Sequence, residues 1–127
     1  MSNYTVKNFE ELPDLAAGND HHEARVARKH LDSEHLGVSY MRYGAGFRSP
    51  YGHHHREQEE AYVVVGGSGK VKLDDDIIDL RRWDVVRIAP DVVRAFEGGP
   101  GGMTLIAIGS DRPEGGDGVV IQDWWPE

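Results

Sequence analysis

Cysteine is missing from this 127-residue chain. Its absence excludes disulfides, thiolate nucleophiles and Cys-based zinc sites. Long apolar runs are missing too, and no window approaches the ~18 consecutive apolar residues of a membrane span. The opening stretch, MSNYTVKNFEELPDL, has neither a basic n-region nor an apolar h-region, so no signal peptide is expected. Positive charge is in short supply. Fourteen Lys and Arg stand against 22 Asp and Glu, a formal net charge of −8. That balance speaks against nucleic acid or an anionic membrane as partner. A soluble, cytoplasmic protein is the expectation. No serine sits in a G-x-S-x-G setting, and no Gly-rich run follows a strand to open a helix. A nucleophile elbow and a phosphate-cradling nucleotide site are therefore unsupported.

Glycine is plentiful instead. Sixteen Gly and six Pro punctuate short segments rich in Val, Ile and Tyr, the pattern of an all-β sandwich or barrel. A chain of this length makes one domain with a real core. The spacing predicts strands at Tyr4–Val6, Glu23–Ala27, Gly37–Tyr43, Glu59–Val65, Lys70–Leu73, Ile77–Leu80, Val85–Ile88, Arg94–Glu97 and Met103–Ile108. Asp74–Asp76 reads as a tight turn rather than a cation site, because Asp tolerates left-handed backbone and caps its own chain. Gly66–Gly69 reads as a turn region and Gly98–Gly102 as a long hairpin connection. Phe9–Leu15 has room for one helical turn, limited by Pro13. Asp111–Asp117 is a polar Gly/Pro segment. Beyond it, Trp124 and Trp125 are expected to clasp the tail onto the barrel or a partner.

The stretch Gly46–Gly67, GFRSPYGHHHREQEEAYVVVGG, carries the chemistry. His53 and His55 are one residue apart, and alternate residues of a strand share a face. Their imidazoles can meet at one point, which Glu60 can reach from the next strand. Two His and one carboxylate make a facial set of metal ligands. His54 is expected to face away. Glu59 competes with Glu60 for the inward position: counting back from Gly67 favours Glu60, but Glu59 counts equally well to Gly66. His21, His22, His30 and His35 are expected at the surface.

These residues resemble the cupin superfamily, small β-barrels of the jelly-roll type. The first cupin motif is matched by Gly46, His53, His55, Glu60 and Gly67, with one extra residue in the first gap. The second is degenerate. Asp84 and Pro90 match it, but Trp83 stands where Gly is expected and Arg94 where the fourth ligand His is expected. The resemblance implies an all-β cupin-type jelly-roll barrel as a single domain over 1–127. Its core barrel would span about 37–109, with N-terminal strands and a C-terminal tail packed on it. It also implies one divalent metal (Fe, Mn, Zn or Ni) on His53, His55 and Glu60. Arg94 argues against that ion, since a guanidinium has no lone pair and does not deprotonate. At about 5 Å from a divalent ion it costs roughly 6–7 kcal/mol at an effective dielectric near 20. At about 4 Å from Glu60 it gains roughly 4 kcal/mol before desolvation.

Three readings follow. The pocket binds a small polar or anionic molecule without metal, with Arg94, Tyr62 and Phe96 as ligand-binding residues. Alternatively, a mononuclear metal enzyme of oxygenase or isomerase type uses His53, His55 and Glu60, with Arg94 anchoring an anionic substrate. In the third, Arg94 and Glu60 pair in a vestigial pocket and nothing binds. Tyr62 and Phe96 lie two residues beyond Glu60 and Arg94, which puts each on the inner face, as core or as pocket wall. Finally, Val63–Val65 and Val85–Ile88 are apolar on both faces, and a homodimer is expected to bury the outer one.

Overall fold

The computed structural model describes residues 3–126. Eight strands build it: β1 His22–Val26, β2 Gly37–Tyr43, β3 Gly52–His55, β4 Glu60–Leu73, β5 Asp76–Arg81, β6 Val85–Ile88, β7 Arg94–Gly109 and β8 Gly118–Ile121. Among the described residues the one helical piece is a 3-10 turn, Phe9–Glu11, capped by the Asn8 side chain, whose Oδ1 accepts from Glu10 N (2.8 Å). Among the described residues, no helix is long and apolar enough to cross a membrane.

All pairings are antiparallel. One path runs β1-β2-β7-β3-β8, and β4 pairs with β5, β6 and β7. Two long strands therefore carry the architecture. The later half of β7, from Met103, runs between β2 and β4. Its beginning pairs with the far end of β4 and meets β3 at His53↔Arg94. In this way β7 passes from one wall of the barrel to the other. Inward residues of successive strands then form rows, such as Val64–Leu105–Met41 and Tyr62–Ala107–Ser39. Tyr62, Val64, Leu105 and Ala107 of these rows form the apolar core with Tyr43, Val71, Leu80, Ile88, Phe96 and Met103, and Met41 packs against it. Val64 and Leu105 are completely buried, each worth roughly 1.5–3 kcal/mol of transfer free energy.

The glycine runs do not end strands. Gly66–Gly69 lies inside β4 and Gly98–Gly102 inside β7. The segments expected as four strands are thus two, Glu60–Leu73 and Arg94–Gly109. The register shifts where the runs face each other, between Val64/Gly66 and Gly67/Gly69. Bulges of this kind bend a sheet and raise its twist, which is how two strands serve both walls. Gly67 (φ +68°) and Gly102 (φ +80°) adopt backbone that favours glycine, and a Cβ on Gly67 would collide with the Gly102 carbonyl.

Other expectations also change. Tyr4–Val6 is not a strand; both named residues are exposed and unpaired with any sheet. Their alternation had no neighbour to satisfy their backbone. The tail adds a strand instead, β8, which zips onto β3 from Gly52↔Ile121 to His55↔Gly118. Trp124 lies over Lys72 Nζ (3.6 Å), and Trp125 donates Nε1–H to the Ser49 carbonyl (2.9 Å), so both tryptophans clasp the tail onto the barrel. Asp74-Asp75 forms the β4–β5 turn, with Asp74 in left-handed backbone and its carboxylate accepting from Val93 N. Trp83 holds φ +75°, the conformation that glycine would adopt freely at that position of the motif.

Candidate functional site

Strand β3 is held between β7 and β8, with His53 opposite Arg94 on one side and Val120 on the other. Its alternation sends His53 and His55 to the inside, their rings edge to face at 5.1 Å. Glu60 opens β4 and joins them. The ligand atoms of His53, His55 and Glu60 lie within 4.8 Å of one another, and His54 is outside this group. Glu59 points elsewhere: it is exposed and paired with Arg87 at 2.7 Å.

Arg94 completes the group. It is wholly buried, with Nη1 3.6 Å from Glu60 Oε1 and Nη2 donating to the Ala89 carbonyl (3.0 Å). Its Nε and Nη1 have no hydrogen-bond partner. The guanidinium thus occupies the corner expected for a fourth imidazole. Tyr62, also buried, donates its hydroxyl to Glu60 Oε1 at 2.7 Å. Phe96 packs against the Tyr62 ring at 4.7 Å and lines the cavity beside it. Both rings belong to the core and to the pocket wall at once.

Asp117 is a residue that the spacing of motifs did not point to. Its Oδ1 lies 2.9 Å from His55 Nδ1, and its Oδ2 accepts from the backbone N–H of Glu57 and Gln58 at 2.8 Å each. The segment after β3 is therefore folded around one carboxylate. Three donors to one anion hold the Asp117 pKa far below the usual carboxylate range, against the opposing effect of burial. With Nδ1–H held by Asp117, the Nε2 lone pair of His55 faces the site; this nitrogen is buried, 3.2 Å from Glu60 Oε1, yet not aligned for a hydrogen bond. A carboxylate that fixes the tautomer of a ligand histidine is a frequent companion of metal sites.

The protonation states follow from the surroundings. Burial pushes His53 down to about 4, with Arg94 and His55 adding to the effect against Glu60. His53 is therefore a neutral imidazole at pH 7. Burial works against the charge on His55 as well, but the Glu60 carboxylate beside Nε2 and the Asp117 carboxylate on Nδ1 outweigh it and raise the pKa. Glu60 is held below its usual range: burial opposes this, and the adjacent His55 ring, the hydrogen bond from the Tyr62 hydroxyl and the nearby Arg94 overcome it.

Two cavities meet at these residues. One, about 180 Å³, is bounded by His53, His55, Glu60 and Tyr62 together with Arg28, Ser39 and Arg112. The other, about 320 Å³, shares His53 and Tyr62 and extends past Tyr43, Phe96 and His22. His22 is thus a correction to the surface reading. It sits on the inner face of β1, stacked on Phe47 and tilted against Tyr43, with Nδ1 3.0 Å from the Arg42 carbonyl. His21 and His35 are exposed as expected, and His30 is half-buried.

The donor set fits a divalent ion. Adjacent ligand atoms about 2.1 Å from a common ion lie about 3.0–3.4 Å apart, so from separations within 4.8 Å the three need to close by up to about 1.8 Å. Against this stands the Arg94 charge on the same carboxylate. The site is able to hold a metal, with one ligand fewer than a four-residue set and a cation beside it.

No family model matches the sequence, and no curated protein does. Solved structures do. A cupin protein (BF4112) from Bacteroides fragilis is similar with a TM-score of 0.70 and 23% identity, over 100% of this chain and 99% of its own. An RmlC-like cupin from Shewanella frigidimarina gives 0.67 and 19%, over 90% and 98%. Oxalate decarboxylase from Bacillus subtilis gives 0.75 and 20%, over 94% of this chain and 33% of its own; that decarboxylase has Mn(II) centres. The likeness is one of fold.

Proposed function

On the scaffold of a small single-domain cupin barrel, we propose that this chain binds a small polar or anionic molecule in the His53/His55/Glu60 pocket, with Arg94 as the resident positive charge. One observation carries this reading. A guanidinium with no solvent exposure turns inward beside Glu60 and keeps two nitrogens without a partner. Buried donors left open cost about 1–3 kcal/mol each, and a ligand oxygen removes that cost. Apolar walls with a few convergent polar groups suit small-molecule binding. Here Tyr62 and Phe96 form the wall, while Arg94 and the imidazoles converge.

The test is metal analysis on protein purified without an affinity tag, together with ligand titration. Substoichiometric metal and a ligand-binding response that disappears in Arg94→Gln support the reading. Full occupancy by one divalent ion on His53, His55 and Glu60 overturns it.

A second reading has its own observation. His55 Nε2 is buried and open while Asp117 holds Nδ1. That favours a metal-dependent enzyme in which His53, His55 and Glu60 hold one divalent ion. Such an ion supplies Lewis-acid polarisation of a substrate oxygen. In that case Arg94 orients an anionic group, Tyr62 keeps its proton on Glu60, and Asp117 fixes the His55 ring.

The outer face of the barrel supports a homodimer. Trp83 (62% exposed), Val85 (65%) and Ile108 (41%) present apolar surface there, and a second copy would cover it.

A further inference from the structure

The acidic chain gathers cations at one place. The cavity on the His53/His55/Glu60 group is lined by Arg28 and Arg112, and Glu60 is the one carboxylate among its lining residues. A neighbouring groove of about 350 Å³ shares Arg112 and Val26 with it and adds Lys29 and His30, with no acidic lining residue. Among the described residues, no carboxylate lies within 4.0 Å of Arg28 or Arg112. In a protein of net charge −8 that concentration runs against composition.

Arg28 is built in. Its Nη2 donates to Gln58 Oε1 (2.9 Å) and to the Ser110 carbonyl (2.6 Å). Gly37 and Gly109 are paired across β2 and β7. A Cβ on Gly37 would meet the Arg28 guanidinium at 2.5–2.8 Å, and one on Gly109 would strike Gln58 Oε1. The two glycines form a floor on which the guanidinium lies. Glu60 is the next residue in that row, opposite Gly109. Gln58 connects Arg28 to Asp117 Oδ1 (3.4 Å), and Asp117 to His55. Arg112, by contrast, is exposed on the same opening. A hydrogen-bonded guanidinium and an exposed one on one opening match the two oxygens of a carboxylate.

We propose that Arg28 and Arg112 are the specificity determinants of this pocket, and that its ligand is a small carboxylate whose carboxyl group they take at the mouth while its other polar end reaches His53 and His55. This rests on the small-molecule reading above and names the class of ligand.

The experiment is titration of tag-free protein with malate, glutarate and gluconate, and with malamide as a neutral counterpart, at low salt. Isothermal titration calorimetry and imidazole NMR shifts are the readouts. At least one carboxylate binds and moves the His53 and His55 signals. Arg112→Gln weakens it about tenfold, Arg28→Gln does the same, and Arg87→Gln, a charge deletion on exposed surface, has no effect. Higher salt weakens binding to the native protein more than to Arg112→Gln. Arg112 is exposed, so its variant keeps the fold. Equal binding of malate and malamide, or native affinity in Arg112→Gln, overturns the carboxylate proposal. If Arg94→Gln then still abolishes binding, the small-molecule reading survives alone. No binding of any probe at about 10 mM overturns the carboxylate proposal, and metal loading without tag then decides the fate of the wider reading.

Discussion

Arg94→His is the substitution on which the two functional readings part. The Arg94 Nη1–Glu60 Oε1 separation is 3.6 Å. At an effective dielectric near 20 that contact is worth roughly 4–5 kcal/mol before desolvation. A divalent ion on the same oxygen would sit about 2.1 Å from it and about 5 Å from the guanidinium, with a repulsion of roughly 6–7 kcal/mol. Relaxation and water entry reduce that figure, and a net gain of about 2–3 kcal/mol, roughly 30- to 150-fold in affinity, is a conservative expectation for its removal. The new imidazole adds a fourth ligand on top. Calorimetric titration of tag-free protein with Mn(II) and Ni(II) reads the change. Arg94→Met serves as the companion, because it deletes the charge, supplies no nitrogen ligand and fills more of the space. It should fall between the native protein and Arg94→His. Metal affinity in the native protein equal to that of Arg94→His would refute the electrostatic reasoning, since the buried cation would then cost the ion nothing.

Other consequences can be measured separately. Asp117→Ala removes four acceptor contacts from a side chain only 1% exposed; urea denaturation should show a loss of about 2–4 kcal/mol, and a loss under about 0.5 kcal/mol would contradict its role in holding the turn after β3. For pH, the sign is set by His53: the unfolded chain binds its proton near 6.5, the folded chain only near 4, so stability is lost as pH falls through that window, by roughly 3 kcal/mol in all. His55, shifted upward, opposes it: its contribution is complete below the ordinary His value and fades as pH rises through the folded one. NMR titration checks both, and a His53 midpoint at 6.5 would contradict the burial argument. Gly67→Ala places a Cβ against the Gly102 carbonyl at φ +68° and should lower stability by about 2 kcal/mol or more. Val85→Glu should convert a dimer to monomer in light scattering; a native monomer at every concentration would refute the second copy.

Much of the site was legible because its signal is local. His53, His55 and Glu60 are separated by a fixed spacing that strand alternation converts into convergence, and the structure brings all three together. Arg94 was legible because one residue type stood where another belongs, and its side chain does turn inward. Glu60 over Glu59 was not legible, because counting to Gly67 and to Gly66 served each equally; the pairing of Glu59 with Arg87 and of Glu60 with the histidines decides it. The glycine runs misled for a physical reason: Gly-Gly-Ser-Gly is equally good chemistry for a turn and for a bulge, and only the partner strand decides. Here each run faces the other, so the chain bends without turning back. Asp117, Arg28 and Gln58 carried no local mark. They reach the site through pairings between distant segments, β8 on β3 and β7 on β2, and no spacing rule reports those. His22 was missed because β1 exposes one edge and buries one face, and a single histidine does not say which face it is on.

The zipper between β8 and β3 sets an order of events. His53 and His55 are translated long before the Asp117 carboxylate that orients one of them, and the two long strands β4 and β7 lie between them in the chain. A nascent polypeptide can therefore pack its apolar interior while the pocket is still unfinished. Competence arrives late, with the final ribbon, and a fusion or nick that loosens that ribbon would leave a stable but inert shell.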